Sequence, residues 1–150
     1  MKKPSVFLDA DVIFAGAAAP TAHGASHVVL CLGEITLIEC VTSTQAITEV
    51  ERNLADKLPS MLPELRLIIT CSLRIVPDPE LEELVPYEGQ ADPKDLPILV
   101  AALKHGCRFL LTFNIRDYSP ATNEIQVQRP GDFIATVRIL LAQLATETGQ

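Results

Sequence analysis

The chain lacks several features that would have assigned it quickly. No uncharged apolar run reaches the length of a membrane span, so no transmembrane helix is expected. There is no CxxC pair. The four cysteines (Cys31, Cys40, Cys71, Cys107) are scattered in apolar contexts, which reads as buried free thiols in a reducing cytosol. The three histidines (His23, His27, His105) do not join them at ligand spacing, which argues against zinc. Positive charge is also short. With 12 Lys and Arg against 19 Asp and Glu, the formal charge is −7, and a broad nucleic-acid-attracting field is excluded. A secretory leader is rejected too. Met1-Lys2-Lys3 and AGAAA mimic one, but Asp9 and Asp11 interrupt its apolar core. Internal repeats and low-complexity segments are absent.

What is present is a 150-residue chain, 48% hydrophobic and 21% charged, which is one globular domain by length. Ser5–Leu8 (SVFL) reads as a first strand, ending at Asp9-Ala10-Asp11. VIFAGAAA starts a helix that stops near Pro20. Residues 26–34 form a second apolar helix, open between a dimer face and core. Thr36–Thr42 is a second strand, and Ser43 or Thr44 caps a helix over 45–58. That helix buries Ile47, Val50, Leu54 and Leu58. A further helix over 60–72 leads to a third strand, Leu73–Val76. The acidic stretch 78–91 holds one helical turn, LEEL. Leu96, Leu99, Val100 and Leu103 recur at helical spacing, and Gly106 follows where a helix stops. RFLLT (108–112) and IQVQ (125–128) are short strands. Pro130 opens a last helix to about Ala145, with Phe133, Val137, Leu140, Leu141 and Leu144 inward. Strands alternating with helices predict a parallel sheet covered on both faces.

Acids recur at the element ends: Asp9 after the first strand, Glu49 in the helix after the second, Asp92 and Asp95 opening the central helix, and Asp117 after the fourth strand. Like charges packed together are costly, about 1 kcal/mol at 4 Å in water and about 4 at an effective dielectric of 20. Converging carboxylates therefore imply a cation, and oxygen-only ligands favour Mg2+ or Mn2+. Such an ion can activate a water and offset charge on a phosphoryl group. Each acid has a plainer reading. Asp92 and Asp95 fit helix caps beside Pro93 and Pro97, Glu49 fits a solvated flank, and Asp117 a turn. Asp9 is the hardest to dismiss, since after an apolar strand it has nothing to cap. Setting Asp9, Asp11, Glu49, Asp92, Asp95 and Asp117 aside leaves the remaining surface nearly neutral.

These segments resemble the PIN-domain nucleases, with the nearest likeness to the toxin-like branch that includes VapC-type toxins. VFLDADVIFAG resembles the opening strand and first acid, TSTQAITEVERNL the helix with the second, and DPKDLPILVAAL the third acidic motif. LLTFNIRDY resembles the closing turn, and RPGDFI the start of the last helix. The resemblance implies a Rossmann-like three-layer α/β/α sandwich, one PIN-like domain over 1–150. It also implies Mg2+- or Mn2+-dependent endoribonuclease chemistry on an RNA substrate, frequent homodimers and a cognate antitoxin partner. It puts Asp9, Glu49 and Asp95 on the metal, with Asp92 and Asp117 completing the set and Asp11 nearby. Thr112 and Asn114 then orient a water or a phosphate. Arg52 and Arg116 are the cations nearest the motifs and so the candidates for the RNA backbone. Many relatives carry aspartate where this chain has Asn114. Two rivals stand beside this reading. One is a PIN fold that only binds RNA or protein. The other is a haloacid-dehalogenase-type phosphatase, suggested by FLDADVI; it needs a lysine after Thr112, and the last lysine is Lys104.

Overall fold

A computed structural model describes residues 3–19 and 24–148. Five short strands form one parallel sheet: β1 (Ser5–Leu8), β2 (Glu39–Ser43), β3 (Leu73–Val76), β4 (Phe109–Leu111) and β5 (Gln126–Gln128). Their spatial order is β3-β2-β1-β4-β5, with Val6 opposite both Cys40 and Phe109. The helices are α1 (Ala10–Ala18), α2 (Ala25–Glu34), α3 (Thr44–Lys57), α4 (Leu62–Ser72), α5 (Leu81–Leu84), α6 (Leu96–Lys104) and α7 (Pro130–Thr148). α1 to α4 pack on one another and α7 packs on α2, while α5 packs on α6, which lies against β2 and β4. The result is the expected α/β/α sandwich.

The core forms where the sheet is covered on both faces. Val6, Phe7, Leu8, Leu110 and Leu111 are fully buried, which explains why β1 and β4 read as continuous apolar runs rather than alternating ones. β1 feeds α1 towards β2, while β4 leads on to β5 on the other side. The neighbouring ends of β1 and β4 are thus the switch point of the sheet, where ligand crevices form. Close packing has local requirements. A Cβ on Gly33 would lie 2.7 Å from Cys40 Sγ and 3.1 Å from Ser72 O, so α2 approaches β2 and α4 only through glycine.

Several expectations need correction. β2 begins at Glu39, not Thr36, because Thr36 takes a left-handed backbone (φ 67°) that turns the chain out of α2. The first residues of the expected 60–72 helix form a 3-10 turn (Pro59–Met61), and α4 starts at Leu62 with Pro63 in its first turn. Leu58 is exposed at the end of α3, and Ala46 fills the buried face instead. Cys71 is exposed and Cys31 half-buried, whereas Cys40 and Cys107 are buried; all four are free thiols. The largest miss is α7. Phe133 is buried, edge-on to Phe109 at 5.0 Å, and Val137 is half-buried. Beyond Arg138 the helix outruns the body, so Leu140, Leu141 and Leu144, together with Ile139, are each more than half exposed. The first helix ends at Ala18 with Ala19 as its C-cap, matching the expected stop near Pro20, a residue that itself lies outside the described ones.

Candidate active site

A cleft of about 580 Å3 opens at the switch point. It is lined by Asp9, Asp11, Glu49, Asp95, Asn114, Asp117 and Arg52, all singled out from sequence, and by Gln45, Thr48, Asn53, Asp78 and Lys94, which were not. Asp92, Thr112 and Arg116 are not among its walls. Four segments supply the acids singled out from sequence (the β1–α1 junction, α3, the start of α6 and the turn after β4), and the loop after β3 adds Asp78.

Asp9 is only 8% exposed. Its N–H donates to Leu111 O at 3.0 Å, extending the β1–β4 ladder by one rung. Contrary to expectation it does cap a helix: α1 starts at Ala10, and Asp9 Oδ1 accepts from Ala10 N at 2.7 Å. Two further donors meet Oδ2, the Thr112 hydroxyl at 2.9 Å and the Tyr118 hydroxyl at 2.8 Å. Thr112 is fully buried, and its oxygen also accepts from Asn114 N at 3.1 Å. Its one proton faces Asp9 Oδ2 and, more distantly at 3.4 Å, Asp11 Oδ2, so it supports the floor of the cleft rather than lining it.

Asp11 Oδ2 accepts from Phe113 N at 3.0 Å and from the Asn114 amide at 3.2 Å. Asn114 is therefore a donor to an acid, a role an aspartate there could not fill. Asp11 Oδ1 is buried with no hydrogen-bond partner. Burial, and then the charge of Asp9, push the Asp11 carboxyl up to about 6.

Asp92 and Asp95, alike in sequence, part company. Asp92 builds the turn: its Oδ1 accepts from Lys94 N at 3.2 Å and its carbonyl from Asp95 N at 2.8 Å. Asp95 sits at the N-cap position of α6 yet makes no side-chain cap bond, and its carboxyl lines the cleft instead. Burial lifts it to about 7, with Asp9, Asp117 and Asp92 adding to the rise and Lys94 opposing it. Glu49 and Arg52 are exposed on α3, one turn apart, and Asp117 is half-buried. Asp78 enters because its Oδ1 accepts from Gln45 N at 2.8 Å at the start of α3, and Gln45 in turn donates to Lys94 O at 3.2 Å. Arg116 is exposed on the turn Ile115–Asp117 and is not among the residues lining the cleft.

Tyr118 is the contact that sequence reasoning missed. Buried to 5% exposure, its hydroxyl stays protonated, because burial and the Asp9 charge push its pKa far above the ordinary range. Its backbone bridges Ala91, while Asp92 N donates to Asp117 O at 2.8 Å and Ser119 N to Gln90 O at 2.7 Å. The turn after β4 is thereby clipped to the turn before α6. The only sequence signal was an aromatic hydroxyl closing the acidic FNIRDY turn.

A divalent cation fits this donor set in its chemistry. Every acidic ligand is a hard oxygen, none of the lining residues is a histidine or cysteine, and Asp11 Oδ1 is a buried acceptor with nothing to accept. Among the described residues, no three such side chains are grouped tightly enough to hold an ion as they stand. Glu49, being exposed, has rotamers to spare.

A sandwich of this topology, with an acidic cleft at its switch point, defines a class of α/β proteins whose chemistry lies at the strand ends. Comparison is more specific: the family described as PIN domain matches residues 5–116, and the chain belongs to that family. PIN domains are generally nucleases and typically use divalent metal ions. Among curated proteins none matches the chain. No helix among the described residues is long and apolar enough to cross a membrane.

Proposed function

We propose that the protein is a metal-dependent endoribonuclease, a single PIN-like domain with one site. The observation that carries this is the convergence of Asp9, Asp11, Glu49, Asp95 and Asp117, from four separate segments, on one cleft with oxygen-only donors. Asp9, Glu49 and Asp95 would hold Mg2+ or Mn2+, with Asp11 and Asp117 completing the set; Asp92, spent on its turn, is left out. The ion would supply Lewis-acid activation of water and charge neutralisation at a phosphodiester. The chain's own part is orientation. Thr112, Tyr118 and Ala10 N fix Asp9, Asn114 and Phe113 N fix Asp11, and Lys94 and Arg52 offer positive charge to an incoming phosphate at a rim that is otherwise acidic.

The test is cleavage of a mixed structured RNA pool with Mn2+, with EDTA, and with an Asp9→Asn, Asp95→Asn double variant. Cleavage needing both the metal and the acids supports the reading. Cleavage that survives the double variant refutes it. A binding module without cleavage is the competing reading, supported by Asn114 where relatives carry an acid; it predicts no cleavage and no Mn2+ binding. The resemblance extends the proposal to a homodimeric toxin restrained by a cognate antitoxin, which growth arrest on induction and light scattering would check.

A further inference from the structure

A carboxylate has about four acceptor positions. Asp9 spends three of them on Ala10 N, Thr112 Oγ1 and Tyr118 OH, two of these at Oδ2. Oδ2 is therefore saturated, and the one remaining position lies on Oδ1. The two hydroxyl donors are not equivalent. Thr112 Oγ1 also stands 3.4 Å from Asp11 Oδ2, so its proton is shared between two carboxylates. Tyr118 OH has Asp9 Oδ2 as its bonded partner at 2.8 Å and is buried. We propose that Tyr118 is a positioning residue for a divalent cation in this cleft, filling Asp9 Oδ2 and so making Asp9 a one-oxygen ligand through Oδ1.

The backbone of Tyr118 gives the hydroxyl its leverage. Through the Ala91 bridge and the Asp92–Asp117 bond, the same residue that holds Asp9 also fixes the turn leading to Asp95 and the carbonyl of Asp117. One side chain thus sets the spacing between the β1 wall and the α6 wall. A ligand oxygen oriented by an outer hydrogen bond typically loses 10–100-fold in metal affinity when that bond is removed. The inference rests on the metal-dependent reading above.

The experiment measures Mn2+ affinity directly, by the loss of free-ion EPR signal, on the whole chain. Wild type, Tyr118→Phe, Asp9→Asn and the double variant are compared, with the melting temperature of each recorded. Tyr118→Phe should weaken Mn2+ binding about tenfold or more. The double variant should bind no more weakly than Asp9→Asn alone, because Tyr118 acts through Asp9. Unchanged Mn2+ affinity with a lowered melting temperature would mark Tyr118 as merely structural and overturn the proposal, as would additive losses in the double variant. Wild-type protein that binds no Mn2+ overturns the metal-dependent reading itself. Should the phenylalanine variant not fold, the wild type suffices, since the chain has two tyrosines, Tyr87 and Tyr118. With ring-labelled tyrosine, Mg2+ should shift the Tyr118 resonance and spare Tyr87. A Tyr118 signal that ignores bound Mg2+ overturns the proposal.

Discussion

Raising the pH of the metal-free protein from about 5 to about 8 should make it easier to unfold, the reverse of what paired carboxylates do. Asp11 and Asp95 both rise from 3.8, to about 6 and about 7 respectively. Between the ordinary and the raised value the folded state binds more protons than the unfolded chain. The stability these groups lend is fully present below about pH 3.8 and is lost as pH climbs, the loss complete above about 6 and 7. Fully realised, the shifts would be worth about 3 and about 4 kcal/mol. Both groups meet solvent in the cleft, which screens them, so on the order of 1–2 kcal/mol for the pair is the expected loss. His105 acts in the opposite sense. Burial lowers its pKa below 6.5, so it costs stability as pH falls, and a single curve mixes the two. Urea unfolding with EDTA at both pH values, repeated on Asp95→Asn, separates them. Asp95→Asn should be more stable than wild type at the higher pH and should flatten the slope. Saturating Mg2+ should flatten it as well, because a cation favours the ionised forms. Wild-type stability that rises with pH in EDTA, with Asp95→Asn following it, would refute the account of a site strained by its own charges.

Other substitutions probe other parts of the molecule. Thr112→Val removes a buried donor to Asp9 and an acceptor from Asn114 N, and should cost about 1–3 kcal/mol in urea unfolding, while Thr112→Ser stays within about 1. Gly33→Ala pushes a methyl to 2.7 Å from Cys40 Sγ and should cost about 1–3 kcal/mol, read as a lower melting temperature. Ile139→Glu with Leu141→Glu should change stability by less than about 0.5 kcal/mol, since both side chains stand off the body on α7; a large loss would mean that α7 packs more extensively than its exposure implies.

The strands around the site were legible because they are short apolar runs with polar ends: β1 and β3 begin and end where SVFL and LRIV do. The helices that carry Glu49 and Asp95 were legible, α3 from its Ser43 cap and α6 from its apolar spacing. Three kinds of information were not local. Helical spacing shows which side of α7 is apolar, but not that the body ends beneath Arg138. Thr36 carries a left-handed turn with no glycine to announce it. Asp92 and Asp95 look interchangeable in the chain, and only the hydrogen bonds of the turn show that one is spent on backbone and the other is not. Lys94, Asp78 and Tyr118 were missed for the same reason, since their importance lies in what other segments bring to them.

The contact between Asp9 and Tyr118 joins residues 109 positions apart. A ribosome adding 5–20 residues per second needs on the order of 5–20 s to travel that distance. Throughout that interval the first acid has been made, but the hydroxyl that orients it has not. The buried bond that orients Asp9 therefore cannot form until most of the chain has been made, and a chain broken off short of Tyr118 lacks one of the two hydroxyl donors to Asp9 Oδ2.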